Sequence, residues 1–163
     1  MSASSEHVAI VVGAGGELGR ATAEKLAAAG FTVVGVDRSE EGLKELPDGI
    51  GREAADPADP AAARSVVDRI AAEVGPAEVL VNTIGMFHPG EALAVTPEDL
   101  RLMIDVNVGA ALWLTQAVVP YLRDRGSGSI VHVAAEAVAD IIVYLVSDAA
   151  APISGAVVPA YGA

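Results

Sequence analysis

The sequence predicts an α/β fold in which a doubly wound parallel sheet of about six strands lies between two layers of helices. Three observations favour this class. Strand and helix patterns alternate along the chain, and the strand segments are short continuous apolar runs, which are typical of strands buried on both faces. A glycine-rich loop follows the first of these strands. We find no domain boundary, so residues 1–163 are expected to form a single domain.

The first half of the chain shows the alternation most clearly. Its predicted elements are the strand Val8–Val12, the helix Leu18–Ala29, the strand Phe31–Val36, the weak strand Ile50–Ala54 and the helix Pro60–Val74. The first helix is expected to end at Gly30, because glycine is favoured just beyond the last helical turn. The second strand is followed at once by Asp37.

The second half repeats the pattern. Its predicted elements are the strand Glu78–Val81, a long helix from Pro97 to about Arg125, the strand Ser129–Val133, the helix Glu136–Ser147 and the strand Ala156–Val158. Thr96 supplies the capping hydroxyl of the long helix, and Pro97 fits its first turn.

The long helix 97–125 carries two apolar stripes. One contains Leu100, Ile104, Val108, Ala111, Thr115, Val118 and Leu122, and the other contains Met103, Val106, Ala110, Trp113, Ala117 and Tyr121. A helix that is apolar on two sides must be covered on both. The sheet can cover one side, and a second subunit is expected on the other, so the sequence predicts a homo-oligomer. Cover by another segment of the same chain is the alternative.

Composition narrows the functional classes. The net charge of −12 leaves no basic patch for phosphates, so nucleic-acid binding is not expected. The absence of cysteine excludes disulfides and thiolate chemistry, and three scattered histidines give no metal cluster. We expect no transmembrane helix, no signal peptide, no membrane partner and a cytoplasmic location.

The glycine loop predicts a dinucleotide site. Gly13, Gly16 and Gly19 lie between a strand and a helix, where glycine lets a pyrophosphate approach the backbone and the helix N-terminus. Asp37 follows Gly19 by 18 residues, at the position of a carboxylate that accepts both ribose hydroxyls of NAD. Arg38 could attract the 2′-phosphate of NADP, so both cofactors stay open, with NAD favoured by Asp37. A tight turn without a ligand is the alternative.

These residues resemble the short-chain dehydrogenase/reductase family and its Rossmann-like fold. The matching stretches are Val12–Gly19, Asp37, Asp56 in AADPAD, Asn82-Thr83-Ile84-Gly85, Asn107 in DVNVGA, and the C-terminal stretch from ADIIVYL onward. The resemblance implies that the loop, including Glu17 and Leu18, holds the pyrophosphate, Asp37 the ribose and Asp56 the adenine edge. Asn82 would help order the cofactor side of the fourth strand, Gly85 would be a further cofactor-binding residue, and Asn107 would support a proton-relay water.

The catalytic part of the family's pattern is missing from this sequence. The family uses a serine, a tyrosine and a lysine four residues after the tyrosine to transfer the substrate proton. Here Ala134-Ala135 stands where the serine is usual, and the only lysines are Lys25 and Lys44. The chain passes directly into a segment that resembles the family's last helix, so an internal block is lacking. The last strand would then complete a sheet of order 3-2-1-4-5-6.

Three functions follow as hypotheses. The first is a family-derived protein that keeps part of an NAD(P) site and acts as a non-redox or non-catalytic member, with a small-molecule ligand still possible. The second is a cofactor-independent lyase, isomerase or cyclase that uses His88 and Glu136, with His132 and Asp140 nearby in the pattern. The third is a weak or partner-completed NAD(P)-dependent oxidoreductase.

Overall fold

A computed structural model describes residues 7–86 and 91–133. Its elements are β1 (Val8–Val12), α1 (Glu17–Ala28), β2 (Thr32–Asp37), α2 (Glu40–Lys44), β3 (Gly51–Ala54), α3 (Pro60–Glu73), β4 (Ala77–Asn82), a 3₁₀ turn (Ala92–Ala94), α4 (Pro97–Ile104), a π-helical turn (Asp105–Gly109), α5 (Ala110–Arg125) and β5 (Ser129–His132). The predicted helix Glu136–Ser147 and strand Ala156–Val158 lie outside the described residues.

The described strands form one parallel sheet of order β3-β2-β1-β4-β5. The chain runs outward from β1 through β2 to β3, and then returns to place β4 on the other side of β1. This reversal creates a switch point between β1 and β4, where parallel sheets bind ligands beyond the carboxyl ends of their strands. The α/β class and the doubly wound order are confirmed, while the sixth strand stays a prediction.

Two apolar clusters cover the two faces of the sheet. Val8, Ile10 and Val12 of β1 join a cluster with α3 and α5, whereas Ala9 and Val11 join a cluster with α1. All five residues are 0–1% exposed. Alternate side chains of one strand therefore enter opposite layers, which confirms the predicted three-layer arrangement.

Local chemistry explains where the helices begin. Asp59 accepts a hydrogen bond from the Ala62 N–H at 2.7 Å before the proline that opens α3. Thr96 and Asp99 form a reciprocal capping box at α4, as the threonine cap predicts. The five-residue helix α2 was not predicted from the sequence, although its cap, Ser39, accepts from the Gly42 N–H.

The long helix differs from a single regular α-helix, because a π-helical turn, Asp105–Gly109, separates α4 from α5. Within this turn the Asn107 amide donates to the carbonyl of Met103 at 2.8 Å. A side chain that competes for an i−4 carbonyl perturbs the backbone ladder, which gives the interruption a physical cause. Sequence periodicity alone did not reveal it.

The two apolar stripes are covered to different extents. Ala110 and Ala117 are buried, but Leu100, Ile104 and Val108 are 52%, 50% and 62% exposed. The stretch Pro97–Arg125 is also long and apolar enough, by length and composition alone, to cross a membrane, so the expectation of no transmembrane helix stays a prediction. One such helix is weak evidence for a membrane span, and Leu114 and Val118 of this helix lie in the core.

Candidate functional site

The glycine loop is held tightly against the ends of the central strands. Gly13 has a φ of +85°, and its N–H donates to the Val36 carbonyl at 2.8 Å. A Cβ on Gly13 would lie 2.6 Å from Thr83 Oγ1, so no larger residue fits without a shift. The loop therefore requires glycine here for both its backbone conformation and its space.

Gly19 lets α1 approach the loop. A Cβ on Gly19 would lie 2.1 Å from the carbonyl oxygen of Gly13. Gly16 caps α1 without a side-chain hydrogen bond, so no side chain caps the N–H groups of the first turn. Glu17 is exposed in that turn, where an acid is favoured, and Leu18 packs against the α1 cluster.

Asp37 joins the end of β2 to the glycine loop. Its Oδ2 accepts from the Gly15 N–H at 3.0 Å, and its Oδ1 accepts from the Ser39 N–H at 2.9 Å. A carboxylate has about four acceptor positions, so these two bonds leave acceptor capacity for a ligand. Asp37 thus holds the glycine loop by a hydrogen bond and places a negative charge at the carboxyl ends of the strands.

The turn after β3 presents a second carboxylate. Asp56 is exposed, and its Oδ1 accepts from the Ala58 N–H at 3.0 Å. This bond fixes a turn whose middle residue, Pro57, is buried. The contact of Asp56 with the adenine edge, which the family resemblance implies, stays a prediction.

The residues directly after β4 form the floor of the site. Asn82 is 3% exposed, and its Oδ1 accepts from the Ile84 N–H at 3.1 Å. Thr83 Oγ1 donates to the Val12 carbonyl at 2.8 Å and so ties β4 to β1. The sequence analysis gave Thr83 no role; its place in the Asn82–Gly85 motif was the available signal.

Asn107 connects the π-helical turn to the segment after β4. Its Oδ1 accepts from the Met86 N–H at 3.0 Å, and its Nδ2 donates to the Met86 carbonyl at 2.8 Å. A Cβ on Gly85 would lie 3.2 Å from the same Oδ1. Asn107 is therefore a clamp on the backbone beside the floor, and a role in proton relay stays a prediction.

These elements surround a cavity of about 300 Å³ at the carboxyl edge of the sheet. Its lining includes six residues that the sequence predicted: Gly13, Gly16, Asp37, Arg38, Asp56 and Gly85. It also includes residues that the sequence analysis did not select: Pro57, Ala58, Thr83, Ile84, Met86, Leu102 and Val106. One side of the cavity is thus formed by glycine backbone and carboxylates, and the other side by the apolar side chains of Ile84, Met86, Leu102 and Val106.

Other predicted residues take different places. Glu17, Leu18, Gly19 and Asn82 are not part of the lining, and their predicted contacts with a cofactor stay predictions. His88 and Glu136 lie outside the described residues. Within residues 7–86 and 91–133, no three His, Cys, Asp or Glu side chains are grouped to hold a metal ion.

The sequence and the fold both match known proteins. Residues 7–151 match the family model of the short chain dehydrogenases. The chain is 34% identical over 139 residues to the short-chain reductase protein NovJ of Streptomyces niveus, covering 81% of this chain and 53% of that protein. It is 32% identical over 130 residues to the 3-oxoacyl-[acyl-carrier-protein] reductase FabG of Escherichia coli, covering 77% and 53%.

Solved structures agree with the sequence matches. A short-chain dehydrogenase from Streptomyces avermitilis superimposes with a TM-score of 0.71 at 36% identity, covering 77% of this chain and 48% of that one. The chain spans about half the length of the relatives that it matches. Since the family model covers most of the chain, and the glycine loop lies at the switch point where these folds bind ligands, the protein belongs to the short-chain dehydrogenase/reductase family.

Proposed function

We propose that this protein binds NAD(P) through the adenosine and pyrophosphate half of the cofactor, and that it is a non-redox or non-catalytic member of its family. The observation that carries the proposal is the cavity itself. It brings the glycine loop, Asp37 and Asp56 together from three separate strand ends.

The residues present fit the adenosine half of a dinucleotide. The pyrophosphate would lie over Gly13 and Gly16, which both line the cavity beside the N-terminus of α1, where an anion is favoured. Asp37 retains acceptor capacity for ribose hydroxyls. The cavity volume of about 300 Å³ lies within the range of small-molecule sites.

Asp37 also supports a preference for NAD. A 2′-phosphate would be repelled by the carboxylate, although Arg38 lines the same cavity and would attract it. Because Asp37 is fixed by two backbone N–H groups while Arg38 is exposed, the preorganised acid is expected to dominate.

The proposed loss of redox chemistry rests on the residues themselves. The family's usual Tyr-x-x-x-Lys pattern does not occur in the 163-residue sequence, since Lys25 and Lys44 are its only lysines. When bound, the nicotinamide cofactor would supply hydride, but proton transfer to a carbonyl substrate needs an acid beside it. A partner subunit or a substitute acid would be needed to restore the reaction.

The test is to measure binding and turnover on the same preparation. Protein freed of ligand is titrated with NAD⁺, NADH, NADP⁺ and NADPH by calorimetry, and reduced cofactor is then incubated with a panel of ketones and aldehydes. We expect NAD⁺ to bind in the micromolar range with no consumption of NADH. Absence of binding at millimolar cofactor would refute the nucleotide site, and carbonyl reduction would refute the non-redox proposal in favour of a completed oxidoreductase.

We also propose that the protein is a homo-oligomer through the exposed apolar side of α4 and the π-helical turn. Leu100, Ile104 and Val108 are each at least half exposed there, and covering them with a second copy would stabilise both. Light scattering is expected to give at least twice the chain mass for the wild type and one chain mass for Ile104→Glu. A monomeric wild type would refute this proposal.

A further inference from the structure

A hydrogen-bonded chain connects helix α5 to the floor of the cavity through His132. Thr115 Oγ1 lies 2.7 Å from the Ala111 carbonyl and 3.0 Å from His132 Nε2. The other ring nitrogen, Nδ1, lies 3.3 Å from Asn82 Nδ2. Asn82 Oδ1 in turn accepts from the Ile84 N–H, so the chain ends at a residue that lines the cavity.

The partners fix the direction of every bond in this chain. The Thr115 hydroxyl has one proton, which it donates to the Ala111 carbonyl, so it must accept from His132 Nε2–H. Asn82 must turn its oxygen to the Ile84 N–H, so its Nδ2–H faces His132 and needs an acceptor there. The network is therefore consistent only with neutral His132 protonated on Nε2.

Protonation of His132 would disrupt its hydrogen bond with Asn82. A proton on Nδ1 would face the Asn82 Nδ2–H, so two donors would oppose each other. If the Asn82 amide rotated to relieve this, its NH₂ group would face the Ile84 N–H instead. Either response weakens the bond that holds the Ile84 backbone, whose nitrogen lies 3.1 Å from the position of a Cβ on Gly13 in the glycine loop.

We propose that His132 is a positioning residue for the nucleotide cavity: its neutral form holds the Asn82 amide on the Ile84 N–H, and its protonated form releases it, so nucleotide affinity falls at acidic pH. This role rests on the nucleotide binding proposed above. Asn82 is the intermediate through which His132 acts, because β4 and β5 pair at these two residues. Desolvation lowers the pKa of His132 even though its side chain is exposed to solvent, and the lowered pKa keeps the ring neutral near neutral pH.

Among residues 7–86 and 91–133, the charged groups on the elements next to His132 do not oppose this behaviour. On β4 the ionisable side chain is Glu78, four residues and about 13 Å before Asn82 along the strand. On α5 the ionisable side chains are Tyr121, Arg123, Asp124 and Arg125, which begin about 9 Å beyond Thr115 along the helix. His132 is the only ionisable residue on β5.

The first test needs no nucleotide. Ring ¹⁵N and ¹³C signals of the histidines are followed against pH, with His132→Asn to assign the His132 signals, and the backbone amide of Ile84 is followed in the same samples. We expect His132 to be the Nε2–H tautomer at neutral pH, to titrate below the ordinary histidine pKa of 6.5, and to move the Ile84 amide with the same midpoint. If the chemical shift of the Ile84 amide does not change as His132 titrates, the proposed coupling between His132 and Ile84 is wrong.

The second test measures affinity. Binding of NAD⁺ is expected to weaken about 2- to 10-fold between about pH 7.5 and pH 5.5, the effect of losing one hydrogen bond. His132→Asn keeps an acceptor oxygen toward Asn82 but cannot titrate, so its NAD⁺ affinity should not change between the two pH values. His132→Leu removes the acceptor and should weaken NAD⁺ binding at both pH values. His7→Asn is the matched control, because His7 pairs with Glu78 near the amino ends of the strands. This variant should still lose NAD⁺ affinity at acidic pH, as the wild type does.

The two proposals fail in different ways. A pH step that persists unchanged in His132→Asn overturns the role of His132 while nucleotide binding stands. No binding at either pH overturns the proposed function and, with it, any effect of His132 on affinity.

Discussion

The carbonyl oxygen of Gly13 lies 2.1 Å from the position that a Cβ on Gly19 would occupy. The two glycines belong to one sequence motif, Gly13 in the loop and Gly19 in the first turn of α1, and they serve different purposes. Gly13 provides a left-handed backbone conformation, and Gly19 provides the space that lets the first turn of α1 lie against that backbone. The proposed anion site depends on both, because the helix N-terminus must reach the cavity.

Replacing Gly19 with alanine is predicted to destabilise the fold. In an ordinary helix this change stabilises by up to about 1 kcal/mol, but the contact with Gly13 reverses the sign, and we expect a loss of about 1–3 kcal/mol. Thermal unfolding checks the prediction. Gly30→Ala is the control, since Gly30 has a φ of +97° but open space around it, and should show only the backbone penalty. A raised melting temperature for Gly19→Ala would contradict the packing described here.

Replacing Asp37 with asparagine is predicted to reduce the preference for NAD⁺ over NADP⁺. The change removes the charge that binds ribose hydroxyls and repels a 2′-phosphate, so NAD⁺ affinity should fall about 10-fold or more. Calorimetry with both cofactors measures this. Asp56→Asn removes the same charge elsewhere in the cavity and should affect the two cofactors equally. An unchanged preference in Asp37→Asn would show that Asp37 does not face the ribose.

Asn107 is predicted to control the order of the backbone at Met86. Asn107→Ala removes both hydrogen bonds to that residue, so the Met86 amide should exchange with solvent at least several-fold faster. Hydrogen exchange followed by NMR measures this directly. Gln116→Ala, an exposed polar residue on the same long helix, should leave the Met86 amide unchanged. Equal exchange in the wild type and Asn107→Ala would contradict the clamp.

The bond between Tyr121 and Asp68 predicts a pH-dependent link between α5 and α3. Tyr121 Oη donates to Asp68 Oδ1 at 2.7 Å. This bond is the main cause that lowers the pKa of Asp68 below 3.8 and raises the pKa of Tyr121 above 10.0. A lowered carboxyl pKa gives stability that is lost as pH falls through the folded-state value, and a raised tyrosine pKa gives stability that is lost as pH rises through its folded-state value.

Tyr121→Phe measures this link. Because Asp68 is partly exposed, the loss should be only about 0.5 kcal/mol near neutral pH, and it should disappear in acid. Urea unfolding across the pH range gives the difference between the two proteins. A difference that stays constant in acid would mean that Asp68 is not the partner.

The sequence predicted the features that arise from local pattern. Short apolar runs located β1, β2, β4 and β5 of the described sheet within one residue, and the weak strand β3 was also placed within one residue. The spacing from the glycine loop to Asp37 placed both at the carboxyl ends of the strands. The short helix α2 was missed because five residues carry too little periodicity to detect.

Contacts between residues that lie far apart in the chain could not be predicted from the sequence. The clamp of Asn107 on Met86 spans 21 residues, and the pair Asn82–His132 spans 50. Neither leaves a periodic signal, since each depends on which strand or helix lies beside another. The π-helical turn likewise arises around a side chain, Asn107, whose partners only the fold reveals.

The most direct measurement of the central claim compares ADP-ribose with NAD⁺ by calorimetry under identical conditions. If the protein keeps only the adenosine and pyrophosphate half of the site, the two should bind with affinities within about threefold, because the nicotinamide ring would add almost no binding energy. NAD⁺ binding that is a hundredfold tighter would contradict the account, since it would require a nicotinamide site that the proposed half-site does not contain.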